Sequence, residues 1–329
     1  MIEVKVLTTR AELRAFFEID KGYLREEAKY LGINARPEIN PLCANGECAY
    51  ILCRRDGKSV FRAFTGIDEI YCARTGQRQG YFALFDGEDD RRAACAVLGE
   101  IENCQRKWGA RSIIGPVSPD GSGLFMGVGS GTEENGRGIF TGAVNEFKMD
   151  VLKENGYAEC VKEGAYMIDV PDENPFSALS EKARIRFGLE ARPLRENRFA
   201  KAWKKHLSSV TDEIPPKDFF RFLEKIERFI AFDHSFLLFT NSGCIGYLLC
   251  LKSKNSVPRV ITLMTKKGIF TPPAALVLTD RVLTSFRNAD VKKYEASVID
   301  ERNFPSFSIL SHVNARKNRI YTQFIKNIQ

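Results

Sequence analysis

Long apolar runs are missing from this sequence. None approaches the ~20 residues a helix needs to cross a bilayer, so no membrane span is expected. Histidine is scarce: His206, His234 and His312 are the 3 in 329 residues, and they stand far apart. The 9 cysteines include no C-x-x-C pair. Cys43, Cys48 and Cys53 are evenly spaced, but Cys48 and Cys53 lie in or beside an alternating strand pattern, where a small buried thiol is the plainer reading. The usual zinc spacings are therefore excluded, and no metal is expected. No secretory-signal pattern opens the chain, and the cysteine count is odd, so reduced thiols and a cytoplasmic location are expected. No GxxxxGK[ST] loop occurs, and no G-x-G-x-x-G stands convincingly between a strand and a helix, which argues against a nucleotide-binding fold.

The chain is long enough for two domains, each able to bury its own core. Lysine and arginine exceed aspartate and glutamate by 49 to 42, a mild and dispersed excess that gives a net charge of +7. That charge is compatible with nucleic acid or a phosphate-bearing cofactor and demands neither.

Thr9 to Glu12 reads as a capping box, followed by an apolar face of Leu13, Phe16 and Phe17. Residues 34–41 read as a loop. Ala49–Cys53 and Val60–Ile67 read as strands joined at Asp56-Gly57, a hairpin signal. Tyr81–Phe85 is a third strand. After the acidic loop Asp86-Gly87-Glu88-Asp89-Asp90 comes a helix with Val97, Leu98, Ile101, Cys104 and Trp108 on one face, ended by Gly109. Residues 111–116 form a strand. Residues 117–138 are rich in glycine and read as a surface insertion, with a substrate lid as the functional alternative. Ile139–Thr141, a helix opened by Asn145 and ended at Gly156, and a strand over 166–170 complete the half. Pro171 to Pro175 is the linker, so the domains are expected at 1–172 and 173–329.

The second half begins with helical stretches over 176–187 and 195–207. Pro215-Pro216 introduces an amphipathic helix with Phe219, Phe222, Leu223, Ile226 and Ile230 on one face. A hairpin follows, Phe236–Thr240 and Cys244–Leu251, then a strand over Val260–Met264 and a helix opened by Pro272-Pro273. The strand Tyr294 to Ile299 leads through Asp300-Glu301-Arg302 to a helix opened by Asn303 and a closing strand over 319–324. Leading helix, hairpin, strand, charged loop, helix, strand, Asn-led helix and closing strand thus occur twice. Residue identity between the halves is negligible.

Several of these segments resemble one family in collinear order. They are Asn40-Pro41 ahead of the hairpin ending in Ile67-Asp68, Tyr81-Phe82-Ala83-Leu84-Phe85-Asp86 leading to Asp89-Asp90, and Ile114-Gly115-Pro116. Further on are Asn145 with Gly156-Tyr157, the run Glu295 to Asn303, and Arg319-Ile320-Tyr321. The chain resembles the uncharacterised bacterial two-domain GNAT-like proteins, of the acyl-CoA N-acyltransferase fold. The resemblance implies an α+β (mixed α/β) protein of two tandem GNAT-like domains. Each would be a mixed, mostly antiparallel sheet flanked by helices. It also implies acyl transfer from acetyl-CoA or another acyl-CoA to a small-molecule amine or amino-acid-like acceptor.

In GNAT folds the CoA pyrophosphate sits on the loop between the fourth strand and the next helix, where amides and helix dipole favour anions. The first half offers carboxylates there. The second offers Lys266, Lys267, Gly268 and Ile269, so the CoA site is expected in the C-terminal domain, although the superfamily's Q/R-x-x-G-x-G/A loop is not intact and Pro272 and Pro273 remove two amides. Many GNAT enzymes carry a tyrosine acid seven residues after the helix-opening Asn; here those positions are Leu152 and Leu310. Glu295 is the candidate base if it faces the cleft, against a structural ion pair; Tyr321 is the candidate acid, against packing. With no cysteine in a nucleophile signature, transfer would be direct. Two alternatives remain: aminoacyl-tRNA-dependent transfer, which predicts a continuous basic groove, and a degenerate GNAT-fold ligand-binding protein.

Overall fold

The structure is a computed structural model that describes residues 1–19, 47–117, 127–131, 144–194, 203–210, 223–224, 226–252, 257–268 and 271–328. The expected loop over 34–41, most of the glycine-rich stretch, Ile139–Thr141, residues 195–202, the start of the Pro215-Pro216 helix and Ile269 lie outside them. In chain order the elements are β1 (Ile2–Val6), α1 (Arg10–Glu18), β2 (Cys48–Arg55), β3 (Lys58–Ile67), α2 (Glu69–Thr75), β4 (Gln79–Gly87) and α3 (Arg91–Lys107). Next come β5 (Ser112–Gly115), β6 (Val128–Gly131), α4 (Glu146–Glu154), β7 (Ala158–Asp169), α5 (Ser177–Phe187), β8 (Glu190–Pro193) and α6 (Trp203–Ser208). The chain finishes with β9 (Phe236–Thr240), β10 (Gly243–Leu251), β11 (Arg259–Thr265), α7 (Thr271–Asn288), β12 (Lys293–Asp300), α8 (Phe304–Leu310) and β13 (Arg316–Asn327).

The chain divides into two compact units. The first comprises Met1–Thr132, Ile139–Lys162 and Ile320–Gln329, and the second contains Glu163–Arg319. This division falls inside β7 and inside β13, whereas the sequence places the linker at Pro171 to Pro175. The physical reason lies in the two longest strands. The second half of β7 pairs with β12, from Asp169↔Lys293 to Glu163↔Asp300. The end of β13 pairs with β5, from Phe324↔Gly115 to Asn327↔Ser112. Each strand starts in one unit's sequence and finishes in the other's sheet.

In the first unit the strand order is β1-β2-β3-β4-β5-β13. All neighbours run antiparallel except β4 and β5. The Thr9 hydroxyl and Glu12 carboxylate cap α1 reciprocally, as the capping box requires. α3 buries Ala93, Ala94, Val97, Leu98 and Ile101 against Ile51, Phe61 and Phe85. Part of the glycine-rich stretch is not a loose insertion. Residues 128–131 form β6, paired with β13, and a Cβ at Gly127 (φ +73°) would lie 2.8 Å from the backbone of Tyr321 and Thr322.

The second unit repeats the plan, with β8-β9-β10-β11-β12-β7 in order and only β11 and β12 parallel. α7 carries Pro272-Pro273 in its first turn and buries Ala274, Val277, Leu278, Val282, Leu283 and Phe286. The buried Asp280 carboxylate ties α5 to α7, accepting from Asn174 Nδ2 (2.8 Å), Ser177 Oγ (3.2 Å) and Ser180 Oγ (2.8 Å). Where an amphipathic helix was expected up to Ile230, Glu227–Phe229 is a 3-10 turn.

The expectation of reduced thiols needs one correction: Cys48 is disulfide-bonded. The other described cysteines, Cys53, Cys72, Cys95, Cys104, Cys160, Cys244 and Cys250, are not in disulfides. No helix among the described residues is long and apolar enough to cross a membrane.

Candidate active site

The place to compare the units is where their parallel strands part. In the second unit β11 and β12 pair only through Arg259↔Glu295 and Val260↔Ala296. Beyond that row β11 continues to Thr265 against β10, while β12 turns to β7 with a register shift between Ala296 and Ile299. Val260 to Thr265 are all half-buried, although β11 has neighbours on both sides in strand order. The two strands form a V, and beyond Val260 β11 pairs with no described strand on the β12 side.

The first unit has the same V, and it is filled. β4 and β5 pair through Gln79↔Ser112, Gly80↔Ile113 and Tyr81↔Ile114. The Val117 amide then donates to the Phe82 carbonyl at 2.9 Å and holds the strands together past the last pair. Phe82 is fully buried, and a Cβ at Gly115 would come within 2.5 Å of its ring. Tyr157 and Phe85 pack edge-on against Phe82. A bulge with Leu84 at φ +51° ends this row.

The loops after the fourth strands also differ. In the first unit Asp86 is buried and accepts from Lys148 Nζ at 2.5 Å, with Arg62 Nη2 at 3.5 Å. Lys58 pairs with Glu88 at 2.6 Å, and Arg55 pairs with Asp90, whose side chain also caps α3. The sequence shows these carboxylates as a bare acidic loop; in the fold Asp86, Glu88 and Asp90 are ion-paired to β2, β3 and α4.

In the second unit Lys266, Lys267 and Gly268 are exposed at the end of β11. The Lys266 amide donates to the Ile245 carbonyl (2.8 Å) and its carbonyl accepts from Thr271 Oγ1 (3.0 Å). The Thr271 amide donates to the Gly268 carbonyl at 3.0 Å, closing the turn into α7. Gly268 has φ +133°, a conformation that suits glycine, and a Cβ there would meet nothing within 4 Å. With Thr271 engaged and Pro272 and Pro273 lacking N–H groups, the helix start offers few amides. An anion would rely on the lysines and on the Lys267 and Gly268 amides.

Glu295 is buried, and it is an ion-pair member. Its carboxylate bonds Arg319 Nη2, lies 3.3 Å from Arg259 Nε and accepts from Ser297 Oγ at 2.9 Å. Arg259 Nε also donates to Ser297 Oγ at 2.5 Å. Tyr321 is fully buried and belongs to the first unit, whereas Glu295 and Lys266 to Gly268 belong to the second.

Sequence reasoning passed over Tyr166. It stands on β7 opposite Ala296, which itself stands opposite Val260, so it shares the row from which β11 and β12 diverge. Its ring lies over Gly164, where a Cβ would come within 2.6 Å, and packs edge-on against Phe307 of α8. Gly164 pairs with Ile299, so the phenol extends toward the open end of the V. The hydroxyl is buried without a hydrogen-bond partner. Burial pushes the phenol up, with Glu301 adding to the rise and Lys317 opposing it; those two groups pair with each other at 2.7 Å.

Among the described residues no group of three His, Cys, Asp or Glu could hold a metal. The buried thiols of Cys53, Cys104 and Cys244 are each pushed up to about 11, chiefly by desolvation, so they are poor nucleophiles at neutral pH.

No protein-family model and no curated protein matches the sequence. Solved structures do. A tandem GNAT protein from the clavulanic acid biosynthesis pathway covers 99% of this chain and 98% of its own, at 9% identity and a TM-score of 0.58. A probable N-acyltransferase from Enterococcus faecalis covers 100% and 73%, at 7% identity and a TM-score of 0.60. A GCN5-related N-acetyltransferase from Sphaerobacter thermophilus covers 100% and 96%, at 13% identity and a TM-score of 0.53. The chain has the acyl-CoA N-acyltransferase fold in two tandem copies. At these identities the likeness is one of fold.

Proposed function

We propose that the protein is an N-acyltransferase that moves an acyl group directly from acyl-CoA to an amine, with the CoA held by the second unit. The observation that carries this reading is the contrast between the two V-shaped openings. One is packed with Phe82 and bridged by Val117; the other leaves Val260 to Thr265 half-exposed. The pantetheine arm of CoA carries two amides, and such a chain adds to a free strand edge as an extended peptide does. The edge of β11 runs straight into Lys266, Lys267 and Gly268, the cationic turn that would meet the pyrophosphate. Acetyl-CoA is the simplest donor of this class.

In this reading Tyr166, not Tyr321, protonates the departing thiolate. Leu310 cannot do so, and the Tyr166 phenol is held neutral beside the diverging strands. Glu295 holds Arg319 and Arg259 and is no base. The low fraction of thiolate expected at Cys53, Cys104 and Cys244 agrees with direct attack by the amine rather than an acyl-cysteine intermediate.

Thermal unfolding with acetyl-CoA and with a longer acyl-CoA tests the binding claim. Ligand at ~100 times its dissociation constant adds about 2.7 kcal/mol, several degrees for a chain of this size. The shift is expected in the native protein and lost when Lys266→Glu is combined with Lys267→Glu. A shift that survives both charge reversals, or no shift with either donor, would contradict the assignment.

A further inference from the structure

The second unit contains a guanidinium that its own chain does not satisfy. Arg319 is 2% exposed, and it makes a single bond, from Nη2 to Glu295. Its Nε and Nη1 are buried with no partner. Glu295 divides its carboxylate: Oε1 serves Arg259 and Ser297, and Oε2 takes only the Arg319 Nη2 bond. A buried guanidinium with two idle nitrogens is costly, and a hydrogen-bond acceptor from outside the chain would relieve that cost.

Its position narrows what that acceptor can be. Glu295 stands in register with Arg259 in the row where β11 and β12 begin to part, and Glu295 fixes Arg319 there. The preceding and following residues of β12, Tyr294 and Ala296, pack into the core under α7. Glu295 and the alternating Ser297 therefore project from the opposite face of the sheet. The cluster lies beside the branch point, on the face away from the helix that starts at the Lys266 to Gly268 turn. Acyl donor and acceptor would thus approach the branch point from opposite faces.

We infer that Arg319 is the recognition group for a carboxylate on the acceptor, so that the acceptor class is an amine that also carries a carboxylate, such as a free α-amino acid. This rests on the acyltransferase reading above and narrows its substrate. An acceptor carboxylate would take the nitrogens that Glu295 leaves idle through charge-assisted hydrogen bonds. Glu295, Arg259 and Ser297 act as positioning residues: they fix the guanidinium before the ligand arrives.

The test pairs α-amino acids with their decarboxylated amines: L-phenylalanine with phenethylamine, L-lysine with cadaverine, L-alanine with ethylamine. Each is titrated into the full-length native protein saturated with CoA and followed by calorimetry. At least one amino acid is expected to bind roughly 10- to 100-fold tighter than its amine. Arg319→Lys, which keeps the charge and loses the fork, is expected to shrink that ratio toward one while CoA affinity stays unchanged. Amino acid and amine binding alike, or no member binding to CoA-loaded protein, would overturn the assignment. Because CoA is titrated separately beforehand, failure of the acyltransferase reading shows up as no CoA binding and is told apart from failure at Arg319.

Discussion

Replacing Glu295 with alanine is expected to lower the unfolding free energy by about 3–5 kcal/mol, the usual consequence of stranding a buried charge. The substitution leaves the guanidinium of Arg319, 2% exposed, without its one partner, and takes from Arg259 and Ser297 a shared acceptor. Chemical denaturation should show the midpoint falling at unchanged slope, and thermal unfolding should fall by on the order of 10 °C. Glu295→Gln should recover part of the loss, because an amide oxygen still accepts from Ser297 and one guanidinium. A catalytic base would give the opposite pattern, a stable and inactive protein. Full stability in Glu295→Ala would remove the ion-pair account and return Glu295 to the list of bases.

Tyr166→Phe should do the reverse: leave the fold intact and slow the reaction. The ring keeps its edge-on contact with Phe307 and its place over Gly164, and the hydroxyl that disappears has no partner to lose. Stability is therefore expected to stay level or rise slightly. Loss of a positioned general acid typically costs ~10²–10⁴-fold in rate. Thiol release from acetyl-CoA in the presence of an accepted amine should fall by that amount, with acyl-CoA affinity unchanged. The pH profile gives a second readout. Burial raises the Tyr166 pKa above the ordinary phenol value, so the acid stays loaded through the neutral range. The native rate should lose its alkaline limb only above the usual phenol range of about 10, and the Phe variant should lack that limb. An unaltered rate in Tyr166→Phe would rule this tyrosine out.

The sequence made the architecture legible because its signals are local. Asn145 and Asn303 cap α4 and α8 through their side chains, Asp56-Gly57 turns between β2 and β3, and Pro272-Pro273 opens α7. The cationic turn at Lys266 to Gly268 was also readable, since it depends on three adjacent residues. The strand exchange was not. Nothing in the composition of Ala158–Asp169 or Arg316–Asn327 says that a strand passes from one unit to the other halfway. The closing of the first V was hidden for a similar reason: it depends on Phe82 meeting Gly115 and Val117, over 30 residues away in sequence.

The site residues divide the same way. Glu295 reads from sequence as either a base or an ion-pair member, and sequence could not say which, because Arg259 and Arg319 arrive from different strands. Tyr166 alternates with Ala165 and Met167 like any strand aromatic. Only its hydroxyl, unpartnered beside the branch row, separates it from core packing. A partial signal existed for Arg319: it alternates with Tyr321 and Gln323, and all three are buried, so one strand carries a run of buried polar side chains.

The most direct test of the account is hydrogen exchange of the native protein with and without acetyl-CoA. The two openings are equivalent in topology, so the pattern reports which one the cofactor enters. Slowed exchange is predicted along Ile261 to Gly268, the free edge of β11 and the turn beyond it, with no change along Gln79 to Asp90. Protection appearing on β4 and its acidic loop, with β11 unaffected, would contradict the placement of CoA in the second unit.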